Sequence, residues 1–86
     1  MGDVNKATQA IIELIKPVIE EASNKESAEK VYYTLVSVMG YPNVEHIDKL
    51  SVINGVAKYL INNCGVDSPI TLAALTVSIE NNDMLN

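Results

Sequence analysis

His46 is the side chain in this sequence best suited to acid–base chemistry, and it is the only histidine. Its neighbours Glu45 and Asp48 would favour the charged form of the ring, which suits a general base or a pH-sensitive group. A metal site at this position would need further ligands, because residues one or two apart point to different sides of a helix. We expect an exposed or edge-packed histidine in the first turn of a helix. The alternative is a small ligand-binding or enzyme-like domain that uses His46 with a nearby acid.

Cys64 is the only cysteine, and it precedes Gly65 at the expected end of a helix. The negative end of a helix dipole disfavours a thiolate, so an activated nucleophile is not expected there. We expect Cys64 to act as a small buried hydrophobe. A single cysteine excludes an intramolecular disulfide, which fits a reducing, cytoplasmic compartment.

The rest of the sequence offers few chemically active groups. It contains no arginine, tryptophan or phenylalanine. Glycine-rich phosphate loops, nucleophile elbows and helical His-Glu zinc motifs are absent as well. We therefore predict a protein that is not an enzyme and that uses neither a cofactor nor a metal.

The charge balance argues against a nucleic-acid partner. Six lysines face 11 acidic residues, a net charge of −5 at pH 7. Up to Asn43 there are 4 lysines and 6 acids, a net of −2, and beyond it 2 lysines and 5 acids, a net of −3, so neither half is basic. A polyanion would be repelled. A helix-turn-helix DNA binder built on the last two helices is thus the least favoured alternative.

Nothing in the chain resembles a membrane segment. No run of about 18 apolar residues exists, and Asp3, Lys6 and Glu13 interrupt the first apolar stretch, so we expect no membrane insertion and no signal peptide. The length of 86 residues predicts one domain, residues 1–86.

Apolar residues recur at spacings of three and four, which predicts an all-α fold, a compact bundle of four to five short helices. The first helix has two apolar rows side by side. One row is Val4, Ala7, Ile11, Leu14 and Val18, and the other is Ile12, Ile15, Ile19 and Ala22. Pro17 interrupts the stretch of helix that carries both rows, so we expect a kink or a break in the helix near Lys16.

Capping residues set the expected limits of the second helix. Ser23 to Glu26 forms a capping box, and Gly40 is placed to end the helix in a left-handed conformation. The β-branched and aromatic residues from Val31 to Met39 make a strand the competing interpretation.

The third and fourth helices also carry boundary signals. Asn43 is a candidate cap, and Gly65 should end the third helix. Gly55 inside that helix predicts the close crossing of another helix, with a break near Ser51 as the alternative. Pro69 marks the start of the fourth helix.

The fourth helix is apolar nearly all round, so we expect it at the centre of the bundle, followed by a frayed tail over residues 80–86.

The apolar surface is large for so short a chain. Part of it is expected to meet a partner helix or a second copy in a homodimer, although four short helices could also use it all internally. The predicted partner-binding residues are Ile12, Ile15 and Ile19, with Tyr33 and His46 as contacts at the rim. The sequence thus predicts a regulator that acts through protein–protein interaction.

Two stretches support a resemblance to a known family. They are Asn43-Val44-Glu45-His46-Ile47-Asp48-Lys49-Leu50 and Ser78-Ile79-Glu80-Asn81-Asn82-Asp83-Met84-Leu85-Asn86. With the small size, acidic charge and many asparagines, the whole chain resembles the lysis-inhibition accessory proteins of T4-like bacteriophages. The resemblance implies a non-enzymatic regulator in the host cytoplasm. Such a protein would bind the cytoplasmic part of the phage holin, cooperate with the antiholin and delay lysis.

Overall fold

Four α-helices follow one another in the computed structural model, which describes residues 2–21 and 25–82. They are α1 (Gly2–Glu21), α2 (Lys25–Met39), α3 (His46–Cys64) and α4 (Pro69–Asn82). The described ranges contain no strand, so the all-α prediction is confirmed and the strand alternative for α2 is wrong. None of these helices is both long and apolar enough to cross a bilayer.

Both α2 and α3 pack against each of the other helices, and α4 packs extensively against α2 and α3. The prediction that α4 would be central is confirmed for its inner side only. Its inner side buries Ile70, Ala74 and Val77, but Leu72 and Ile79 face outward and stay exposed. The apolar residues of α4 thus divide between a buried side that packs on α2 and α3 and a side that stays exposed.

The position of α1 depends on a close contact with α3 at Gly55. A Cβ atom at Gly55 would lie 2.8 Å from Cγ2 of Thr8. Thr8 is itself held in place, because its hydroxyl donates to the carbonyl of Val4 at 2.8 Å. The predicted close crossing is confirmed. The predicted alternative of a break near Ser51 is wrong, since α3 is continuous there.

Pro17 does not break α1, which continues to Glu21. Pro17 is exposed, so water can reach the carbonyl that the missing N–H leaves without its helical partner. On the same turn, Nζ of Lys16 lies 3.2 Å from a carboxylate oxygen of Glu13. An exposed proline therefore costs the helix a hydrogen bond without ending it.

Two predictions for the connection between α2 and α3 are wrong: a left-handed conformation at Gly40 and a helix cap at Asn43. The N–H of Gly40 still donates to the carbonyl of Val36 at 3.1 Å, and Gly40 does not adopt a positive φ. The left-handed residue is instead Asn43, with φ of 63°. Glu45 occupies the N-cap of α3 with an extended backbone. Asn43 thus turns the loop rather than capping the helix.

The expected signals between α3 and α4 are confirmed. Gly65 has φ of 90°, and its N–H donates to the carbonyl of Ile61, which ends α3. The carbonyl of Ser68 accepts from the N–H of Leu72 at 2.9 Å, so α4 begins at Pro69.

The end of α4 is helical where a frayed tail was predicted. The helix continues to Asn82 and is tied to its neighbours by side chains. The hydroxyl of Tyr32 donates to Oε1 of Glu80 at 3.1 Å, and Nε2 of His46 lies 3.2 Å from the carbonyl oxygen of Asn81. Residues 83–86, like the predicted cap Ser23, lie outside the described residues.

Candidate functional site

An open groove of about 660 Å³ lies between the N-terminal half of α1, the end of α2 and the beginning of α3. Most of the side chains that line it are apolar. The lining residues are Val4, Ala7, Ala10, Ile11, Val38, Tyr41, Asn43, Val44, Glu45, Asp48, Lys49 and Val52. A concave apolar surface of this size is within the range of ligand and peptide sites.

One wall of the groove is the apolar row of α1 that begins at Val4. Val4, Ala7 and Ile11 follow each other at spacings of three and four, so they share one side of the helix. Ala7 is small and exposed, which leaves space beside its larger neighbours. Leu14, the next member of the row, has 65% of its surface exposed. This apolar row thus borders the groove and solvent, although Ile11 and Val18 also pack partly against the core.

The other row of α1 belongs to the core, which corrects the predicted partner surface. Ile12 and Ile15 are only 4% and 1% exposed, and Ile19 is half-buried against the core. A partner cannot reach Ile12 or Ile15 while α1 is in place. Thr8 precedes them in the same row, and its fit beside Gly55 turns that row inward. Spacing alone showed two rows, but it did not show which one faces α3.

The opposite wall comes from the loop between α2 and α3. Tyr41 and Val44 line the groove from this loop and are 64% and 43% exposed. Asn43 lies between them in the left-handed conformation, which asparagine adopts more readily than most residues. The turn at Asn43 therefore shapes this wall, a role that the sequence reading missed because it treated Asn43 as a cap.

Three charged residues line the groove where α3 begins. Nζ of Lys49 donates to the carbonyl of Met39 at 3.1 Å, so this ammonium closes the end of α2. The Glu45 side chain makes no capping hydrogen bond. Within residues 2–21 and 25–82, the carboxylates of Glu45 and Asp48 have no hydrogen-bond or ion-pair partner. The groove thus offers two available negative charges beside one engaged positive charge.

His46 is adjacent to this charged edge in sequence, yet it does not line the groove. Its half-buried ring donates an N–H to the carbonyl of Asn81, which ties the first turn of α3 to the last turn of α4. The predicted rim contact at His46 is therefore replaced by a structural hydrogen bond. In the part of the chain that the structure describes, no group of three His, Cys, Asp or Glu residues could hold a metal ion.

Tyr33 also lies apart from the groove. It is 65% exposed on α2 and stacks edge-to-face with Tyr32, with ring centroids 5.6 Å apart. With Leu72 and Thr76 of α4 it lines a second, shallower depression. The predicted site residues therefore do not form one surface. Cys64 is half-buried and packs against the core.

The fold and the site together define a small helical bundle with an open apolar groove and an acidic edge. No protein family, curated protein or solved structure matches this chain. The groove can bury apolar side chains of a ligand and can place carboxylates beside a basic group.

Proposed function

We propose that this protein is a non-enzymatic regulator that binds an amphipathic helix of a partner protein in the groove. The observation that carries the proposal is the row of Val4, Ala7 and Ile11, which faces an open groove although a second apolar row of the same helix is already buried. Amphipathic helices bind in such grooves through anchors spaced three, four and seven residues apart. The walls of α1 and of the Tyr41 loop would contact the two sides of such a helix.

The dimensions of the groove suit a short helix. Val4 to Ile11 is two helical turns, about 10 Å of wall at 1.5 Å per residue. A bound helix of about three turns would place two or three aliphatic anchors along it. Tyr41 is the aromatic side chain in the lining, and an exposed tyrosine makes a good contact residue at low entropic cost. We expect a contact based on aliphatic packing and one tyrosine, with modest affinity.

The likeness to the lysis-inhibition accessory proteins of T4-like bacteriophages supports a particular partner. On that basis we propose that the bound helix belongs to the cytoplasmic part of a phage holin and that the antiholin acts with this protein. The regulator would then work in the host cytoplasm and delay lysis. The groove supplies a binding surface for this role, and the likeness supplies the partner.

Groove binding can be tested with a charge-matched pair of variants. Ala7 and Gln9 are both exposed on α1, but only Ala7 lines the groove. Ala7→Lys places a long charged side chain in the groove, whereas Gln9→Lys adds the same charge outside it. The probe is a labelled neutral leucine–glutamine helical peptide of about 18 residues, and its binding is followed by fluorescence anisotropy. Ala7→Lys should weaken binding about tenfold, because the bound peptide would either desolvate the lysine charge or lose apolar contact.

Gln9→Lys should bind this peptide as the unsubstituted protein does. Equal binding by the two variants, or no binding by the unsubstituted protein, would contradict the groove as the site.

The holin partner needs its own test. The time to lysis would be measured in host cells that express a T4-like holin and antiholin together with this protein. We expect the protein to delay lysis, Gln9→Lys to keep the delay and Ala7→Lys to lose it. Unchanged lysis timing with the unsubstituted protein would exclude this partner, and it would leave the peptide result intact.

A further inference from the structure

We infer that the helix bound in the groove is basic, with lysine or arginine side chains beside its apolar face that contact Glu45 and Asp48. This inference rests on the groove being the binding site. It adds the chemical class of the partner, which the apolar walls alone do not determine. The argument comes from which charges at the groove are available and which are already used.

The two carboxylates are available. Glu45 is exposed and makes no capping hydrogen bond, and Asp48 is half-buried in the first turn of α3. Both line the groove. The described part of the chain gives neither of them a cationic partner. A basic side chain of a bound helix would thus find, at the groove edge, two carboxylates that no cation of residues 2–21 and 25–82 pairs with.

Lys49, the one lysine that lines the groove, does not cancel the negative charge of both carboxylates. Nζ of Lys49 donates to the carbonyl of Met39 at 3.1 Å, an orphan carbonyl at the end of α2. Lys49 has three N–H donors, so this bond fixes the ammonium at the end of α2 without removing its charge. An acidic helix would find that single ammonium beside two carboxylates that repel it, whereas a basic helix would find two carboxylates beside one ammonium, so the charges at the groove edge favour positive charge on the partner.

The charge of the whole chain acts in the same direction. A net charge of −5 at pH 7 attracts a basic segment and repels an acidic one at long range. Complementary charge raises the association rate and selects between partners more than it adds affinity. The acidic edge would therefore orient a helix whose apolar anchors supply most of the binding energy.

Acidic residues in a first turn also stabilise a helix through its dipole, so the experiment must separate the two effects. Glu26 provides the matched control, because it is exposed in the first turn of α2 and does not line the groove. Glu29, also exposed on α2 and outside the groove, completes the pair. The variant Glu45→Gln with Asp48→Asn and the variant Glu26→Gln with Glu29→Gln change the net charge equally.

The probes are two helical peptides of about 18 residues that share one leucine face and differ only in a lysine or a glutamate polar face. Titration calorimetry or anisotropy at low salt should show that the lysine peptide binds the unsubstituted protein about tenfold more tightly than the glutamate peptide. Glu45→Gln with Asp48→Asn should weaken lysine-peptide binding about three- to tenfold, the effect expected of one exposed and one half-exposed ion pair. The control pair should change it less than about twofold, as expected for screened, distant charges.

Equal affinity for the lysine and glutamate peptides would overturn the inference, and so would an equal loss in the control pair. If the inference is overturned in this way but Ala7→Lys still weakens binding of the neutral peptide, the groove remains the binding site and only the basic character of the partner is wrong. If no peptide binds at all, both proposals fail.

Discussion

At the scale of single residues, His46 shows how a chemically capable side chain can serve the fold. Its ring N–H donates to the carbonyl of Asn81 and so links α3 to α4. The sequence placed His46 correctly in the first turn of a helix. Its contact with α4, 35 positions away, depends on how the helices pack and has no local signal.

The hydrogen bond from His46 should keep the last turn of α4 ordered. His46→Phe keeps an aromatic ring and removes the donor. A hydrogen bond contributes about 1 kcal/mol, so we expect amide hydrogen exchange over residues 79–82 to become about fivefold faster. Amides in the middle of α1 provide the internal control. Unchanged exchange at the end of α4 would contradict this structural role.

The hydroxyl of Tyr32 gives a pH-dependent prediction. Its hydrogen bond to Glu80, and then the negative charge of that carboxylate, raise the pKa of Tyr32 above the ordinary value of 10.0. The neutral hydroxyl is favoured in the folded state, so this contribution to stability is complete below pH 10 and is lost as the pH rises through the raised pKa. Glu80→Gln should lower the pKa of Tyr32 in an NMR titration. An unchanged pKa would mean that the bond does not persist in solution.

Gly55 is expected to resist substitution because of Thr8. A Cβ atom at Gly55 would lie 2.8 Å from the Thr8 methyl group. Overpacking costs about 1–3 kcal/mol, against about 1 kcal/mol gained in helix propensity, so Gly55→Ala should lower the free energy of unfolding by about 1 kcal/mol. In a Thr8→Ala background the same change should be neutral or stabilising. Denaturant unfolding of the four proteins measures this coupling, and a more stable Gly55→Ala single variant would contradict it.

At the scale of helices, the sequence predicted more of the fold than of the site. Three-four spacing identified the helices, and Gly65 and Pro69 marked a boundary that the structure confirms. Spacing could not decide which row of α1 faces inward, because both rows are apolar. That choice depends on the fit of Thr8 beside Gly55, a contact 47 positions apart in sequence. None of the predicted partner residues lines the groove, and only Ile12 and His46 are next in sequence to residues that do.

The loop between α2 and α3 depends on the left-handed conformation of Asn43, with φ of 63°. Asn43→Gly should leave the free energy of unfolding nearly unchanged, since glycine adopts positive φ without steric cost. Asn43→Ala should lower it by about 1 kcal/mol, because alanine is strained in this region. Chemical denaturation would compare the two variants. Equal stability of both would mean that the loop adopts another conformation in solution.

At the scale of the whole molecule, helix α1 carries both buried apolar residues and apolar residues that border the groove. In α1, Ile12 and Ile15 are buried in the core, whereas Val4, Ala7 and Ile11 line the groove. A second exposed apolar area, with Leu72 and Ile79, lies on α4. The described residues thus leave two separate apolar areas accessible, the groove beside α1 and the outer side of α4. The central claim is that the α1 groove, rather than the α4 surface, receives a partner helix.

The most direct measurement of that claim is a two-dimensional ¹H–¹⁵N NMR titration of this protein with the leucine–lysine helical peptide. We expect the largest amide shifts in residues 4–11 and 38–52, around the groove, and we expect Ala7→Lys to need about tenfold more peptide to reach the same shifts. The chemical shifts of the amides near Leu72 and Ile79 should stay unchanged. Shifts confined to that exposed surface of α4, or no shifts at any peptide concentration, would contradict the account.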